Sequence, residues 1–125
     1  MFSVCSSTER AIMELKSEKK GEVYIVHIDG PIKSGMEFDL ADELEARMHE
    51  MQVPKMVIDM KKVPFINSAA LGILLNVFQE IEKRNGRLGL ASISTEVDNL
   101  LEITKLGTVF EIFRNVEDAL DSIVD

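Results

Sequence analysis

Strand-like and helix-like segments alternate along this chain, which predicts a single α/β domain. The expected form is a mixed, mostly parallel β-sheet with about four α-helices packed on it. Two observations carry that reading. Val23–Ile28 (VYIVHI) and Met56–Met60 (MVIDM) are short, almost continuously apolar and β-rich, as expected of strands covered on both faces. The segments between and after them space their apolar residues for one face of a helix. A length of 125 residues with 46% hydrophobic content suits one domain with one core, and argues against global disorder.

Residues 1–11 read as a loose leader and 12–125 as the domain, because MFSVCSSTER has little periodicity. Ile12–Lys16 alternates weakly, as an edge strand would. Lys19-Lys20-Gly21-Glu22 is the expected hairpin turn into Val23–Ile28, and Gly30-Pro31 stops that strand. Glu37–Met51 places Leu40, Ala41, Leu44, Met48 and Met51 on one helical side. After the Met56–Met60 strand, a central helix runs from Ser68 to about Asn85, with Asn85-Gly86 as its C-terminal stop. Arg87–Ser92 is a short strand. Thr95 and Asp98 resemble a capping box for a helix carrying Val97, Leu100, Leu101 and Thr104, ending at Leu106-Gly107. Val109–Phe113 is the last strand. Asn115 then caps a terminal helix with acids in its first turn and Val116, Ala119, Leu120 and Ile123 inward. No internal repeat, low-complexity tract or interdomain linker interrupts the pattern.

Charge and composition narrow the function. A net charge of -8 argues against nucleic acid and against anionic membrane surfaces, both of which call for clustered Lys and Arg. Cys5 is the sole cysteine, so no intrachain disulfide forms and a reducing compartment fits. No apolar run approaches a membrane span, and the start lacks the pattern of a signal peptide. A soluble cytoplasmic protein is the expectation.

Catalytic and cofactor signatures are weak. His27 lies in an apolar strand and His49 on a charged helix face, far apart in sequence and without acidic residues at ligand spacing. A packed strand histidine and a solvated helix histidine are the expected roles, with no metal. Neither glycine-rich phosphate loop pattern occurs, so no cofactor is expected. Gly30–Gly35 reads as a surface loop. Ser68 lacks the GxSxG context of a nucleophile elbow and has no evident histidine partner, so nucleophilic catalysis is not expected.

What stands out is Val57–Leu75, VIDMKKVPFINSAALGILL. An apolar run ends at Asp59. A polar turn and a second apolar touch at Phe65-Ile66 follow, and Asn67-Ser68 opens the central helix. Unpaired backbone N–H groups and the positive end of the helix dipole project there, so an anion such as a phosphate on Ser68 is stabilised. Asn67-Ser68 also serves as a plain helix cap, since both residue types are favoured caps. Leu71, Leu74, Leu75, Phe78 and Ile81 make the core stripe. Ile73 and Val77 widen the apolar arc to roughly half the circumference, more than the ~100° a surface helix needs. Either a neighbouring helix or a protein partner covers that extra edge, and the neighbour is favoured.

From Gly21 onward the chain resembles a STAS domain, the family of bacterial anti-sigma factor antagonists. The family's usual motif is an apolar strand ending in Asp-Leu, an apolar pair, then Asp-Ser-Ser/Thr-Gly-Leu-Gly. Asp59-Met60, Phe65-Ile66, Ser68, Leu71 and Gly72 match it. LLEITKLGTVFEIF (Leu100–Phe113) and the acidic helix at Glu117-Asp118-Ala119-Leu120 match the family's closing elements. The resemblance implies a mixed sheet with helices on it and a regulatory mechanism called partner switching. There the unmodified antagonist binds an anti-sigma factor that is a serine kinase. Phosphorylation of the motif serine, Ser68 here, releases it, and a phosphatase resets the cycle. Three positions depart from the motif. Asn67 replaces Asp and removes a negative charge, Ala69 replaces the second hydroxyl residue, and Ala70 replaces Gly and adds a methyl group where a partner would approach.

Two function classes follow. The first is a non-enzymatic binding module, monomer or weak homodimer, whose partner contacts are Asn67, Ser68, Ala69, Ala70, Ile73 and Val77 and whose control is phosphorylation of Ser68. The second is an adaptor or transport-ATPase regulatory subunit that binds its partner constitutively, a reading motivated by Asn67, Ala69 and Ala70.

Overall fold

The computed structural model describes residues 14–30 and 37–123. The leader, Cys5 and most of the Gly30–Gly35 loop lie outside the described residues. The chain runs β1 (Glu14–Lys20), β2 (Val23–Asp29), α1 (Glu37–His49), β3 (Lys55–Lys62), α2 (Ser68–Lys83), β4 (Arg87–Ala91), α3 (Thr95–Ile103), β5 (Glu111–Phe113) and α4 (Val116–Ile123). The α/β expectation holds: one five-stranded sheet in the order β1-β2-β3-β4-β5, with β1 antiparallel to β2 and every other pair parallel.

Strand order explains the layering. From β2 onward each parallel strand adds beside its predecessor, always in the same direction. Crossovers of one hand then place their helices on one face of the sheet. Leu40, Leu44 and Met48 of α1, Leu74, Val77 and Ile81 of α2, and Val97 and Leu101 of α3 accordingly share one buried cluster with Val26, Ile28, Met56, Ile58 and Met60 of the sheet. The alternate strand residues Val23, Ile25 and Val57 face the other way, where Ala119 and Ile123 of α4 cover them. Arg84, just past α2, donates from its guanidinium to the carbonyls of Met48 (3.2 Å), Met51 and Gln52 (3.4 Å), tying the ends of α1 and α2 together.

Several boundaries differ from the sequence reading, each for a local reason. β1 extends through Lys19 and Lys20, because the hairpin needs only Gly21 and Glu22 as its loop, with Gly21 at φ +61°. α2 ends at Lys83 and not at about Asn85; of the expected Asn85-Gly86 stop, Asn85 is the left-handed residue (φ +62°). Asn tolerates that conformation, and Gly86 meets a different need: a Cβ there would lie 1.9 Å from the Pro54 carbonyl oxygen. The cap of α3 is Ser94, not Thr95; its hydroxyl accepts from the Val97 N–H at 3.1 Å. α3 ends at Ile103 and β5 starts only at Glu111, because Val109 and Phe110 turn back onto the Leu106 carbonyl and Phe110 packs edge-on against Phe78. Asn115 caps α4 as expected, accepting from the Asp118 N–H at 2.8 Å.

Candidate functional site

The β3–α2 connection sets the geometry at Ser68. β3 leaves the sheet at Lys62, and the Val63 N–H turns back to the Met60 carbonyl at 3.0 Å. Val63 and Ile66 are buried and anchor the loop, whereas Phe65 between them is 46% exposed. Asn67 then sits in an extended conformation (φ -91°, ψ 173°), and its side-chain oxygen accepts from the Ala70 N–H at 2.8 Å. Asn67 is therefore the N-cap, and Ser68 and Ala69, both exposed, are the first two helical residues. Their N–H groups belong to the first turn, which has no intrahelical acceptor for them. No acidic side chain occupies that turn, so the positive end of the dipole is uncompensated.

A second brace comes from α3. The Ser94 hydroxyl donates to the Pro64 carbonyl at 2.9 Å while it caps its own helix, which fixes the loop against the start of α3. Sequence reasoning missed this residue, since Ser92, Ser94 and Thr95 all offer a hydroxyl near the helix start.

The six expected contact residues divide. Asn67, Ser68 and Ala69 form one continuous edge at the start of α2. Ala70 is 0% and Val77 3% exposed, so both are core residues, and direct partner contact by either side chain is corrected. α1, α3 and the sheet cover the broad apolar arc, as the helix-neighbour reading anticipated. Ile73 is half-buried and packs on the same cluster. Two exposed residues belong beside Ser68 and were not singled out. Phe65 offers an aromatic face. Gly72, one turn along the exposed side, has open space where a Cβ would be. The motif itself contained both, but exposure was the missing signal.

On the opposite face of the sheet the histidine expected to be merely packed is instead bridged. His27 continues the Val23–Ile25 row beyond the cover of α4. Its Nδ1 lies 2.7 Å from Asp59 Oδ2 and its Nε2 lies 2.6 Å from Glu18 Oε2. Asp59 is 3% exposed and its other oxygen accepts from the Lys61 N–H at 3.1 Å. Each ring nitrogen of His27 faces a carboxylate oxygen from a neighbouring strand. Three strands are thus tied by one side chain. His49 is exposed on α1, as expected. Among the described residues no group of three or more His, Cys, Asp or Glu is arranged to hold a metal, and no helix is long and apolar enough to cross a membrane.

With this geometry in view, comparison with known proteins identifies the class. The family model for the STAS domain matches residues 14–119, and the chain belongs to that family. It is similar to an anti-sigma F factor antagonist of Paenibacillus polymyxa, 21% identical over 111 residues that cover 89% of this chain and 95% of the relative. Among solved structures, an anti-sigma factor antagonist from Mycobacterium paratuberculosis superposes with a TM-score of 0.82 at 23% identity, covering 91% of this chain and 96% of that one. The Bacillus cell fate determinant SpoIIAA in its phosphorylated form superposes with a TM-score of 0.69 at 16% identity, covering 88% and 99%.

Proposed function

We propose that this protein is an anti-sigma factor antagonist of the cytoplasm, a binding module without catalysis of its own. It binds an anti-sigma factor that is an ATP-dependent serine kinase, and phosphorylation of Ser68 releases it. A phosphatase restores the binding form. The observation that carries the reading is Ser68 itself: an exposed hydroxyl in the first turn of α2, behind an asparagine cap, with no acidic neighbour in that turn. The names of its relatives and the STAS family support the same class.

The chemistry suits a switch that leaves the fold intact. A phosphate adds about -1.5 to -2 charges and three acceptor oxygens. At a helix N-terminus it is favourable by ~0.3–1 kcal/mol. Its effect therefore falls on the interface, through bulk, desolvation and repulsion. A hundredfold loss of affinity requires only ~2.8 kcal/mol. The contact surface in this scheme is Phe65, Asn67, Ser68, Ala69 and Gly72, with the rim of Ile73. Gly72 keeps that surface flat at a cost in helix stability, which is sensible only where another backbone approaches closely.

The constitutive adaptor is the competing reading, and its motivation shrinks on this geometry. Asn67 performs the cap that Asp would perform, and the Ala70 methyl points into the core instead of toward a partner. Only Ala69 still favours it. Affinity capture from native lysate with wild type, Ser68→Ala and Ser68→Asp separates the two. The switch predicts an ATP-binding serine kinase on the first two and its loss on the third. Identical partners on all three mean a constitutive adaptor.

A further inference from the structure

The cavity beside the His27 bridge has a chemistry that the partner switch does not use. It encloses about 220 Å³ at the C-terminal ends of the parallel strands β2 and β3, lined by Lys16, His27, Asp29, Asp59, Lys61 and Lys62. Open α/β sheets bind ligands at the carboxyl ends of their strands. The pairing is irregular here. His27 pairs with Asp59 and Asp29 with Lys62, so β3 places Met60 and Lys61 opposite the single residue Ile28. Bulges of this kind re-aim side chains and recur beside sites.

Three lysines and two aspartates line the cavity, and the His27 among them is bridged to Glu18. The Lys62 ammonium lies 3.9 Å from the Asp29 carboxylate. Both Asp59 oxygens are engaged, one by His27 and one by the Lys61 N–H. The ammonium groups of Lys16 and Lys61 have no carboxylate partner among the described residues. Two exposed lysines without a carboxylate partner therefore line one recess of a chain with net charge -8, a place where an anion is welcome. The volume is below the ~300–1,000 Å³ of sites for drug-sized ligands, so it suits a compact ion and not a nucleotide.

We propose that this cavity binds a small free oxyanion of the phosphate class, held between the Lys16 and Lys61 ammonium groups. The buried Asp59 and its His27 bridge hold the strand ends in register beneath it. His27 and Asp59 stand on the sheet face opposite α1, α2 and α3.

The test is a two-dimensional amide NMR titration of the full chain with potassium phosphate against potassium chloride at matched ionic strength. Saturable phosphate-dependent shifts confined to residues 16, 27–29 and 59–62 are expected. Lys16→Gln/Lys61→Gln should weaken binding about three- to tenfold. The control Lys83→Gln/Lys105→Gln makes the same charge change elsewhere and should bind as wild type. Amide spectra away from the cavity establish that each variant is folded. Non-saturating shifts, or equal weakening by both double variants, would overturn the site as diffuse charge screening. A phosphoserine peptide that binds at the cavity much more tightly than inorganic phosphate would overturn the free-ion assignment.

Discussion

The start of α2 and the strand ends around His27 are both polar and both at the same edge of the sheet, yet they are built in opposite ways. The first is local: Asn67 caps Ala70 three residues on, and Ser68 and Ala69 are exposed beside it. The second is assembled at a distance, since His27 reaches Glu18 nine residues away and Asp59 thirty-two residues away. A local site can accept a modification without disturbing the core. A site that links three strands around a buried carboxylate cannot lose His27 without leaving Asp59 short of a partner. The two regions should therefore respond to substitution in opposite currencies, one in binding and the other in stability.

The largest stability effect should come from His27→Ala. It leaves the buried Asp59 carboxylate with the Lys61 N–H as its remaining donor among the described residues, a loss of about 1–3 kcal/mol. Urea denaturation checks this, and partner binding by the folded variant should be unchanged. Loss of binding in a folded His27→Ala protein would break the separation between the regions. Asn67→Ala comes next, at about 1 kcal/mol, because it removes the cap of α2. Unlike His27→Ala, it should also alter binding, since it frees the loop that carries Ser68. The smallest effect is expected for Gly72→Ala, which should raise stability by roughly 0.5–1 kcal/mol while weakening the partner. Thermal unfolding and calorimetric titration on the same sample test both signs. A stabilised variant with full affinity would remove Gly72 from the contact surface.

Much of the architecture was legible because it is written in short-range signals. Continuous apolar runs marked β2 and β3, and cap residues marked α2 and α4. The position of Ser68 at a helix start followed from Asn67-Ser68 alone. What failed did so for identifiable physical reasons. The run Ser92-Ile93-Ser94-Thr95 offers several caps, and only the contact of Ser94 with Pro64 selects one. Val77 looked available because helical spacing shows an apolar arc but not what covers it. Ala70 looked exposed by its place in a motif, while the cap geometry turns it inward. His27 looked packed because its partners come from two other strands, and register cannot be read from any one of them.

The central claim is that phosphate on Ser68 acts on the interface and not on the fold. The most direct measurement is calorimetric titration of the captured anti-sigma factor kinase with unmodified protein and with protein phosphorylated at Ser68, alongside thermal unfolding of each form. The account predicts an affinity at least about a hundredfold weaker for the phosphorylated form, with unfolding temperatures that match or favour it. Equal affinities, or a weak complex explained by a phosphorylated protein that unfolds at lower temperature, would contradict it.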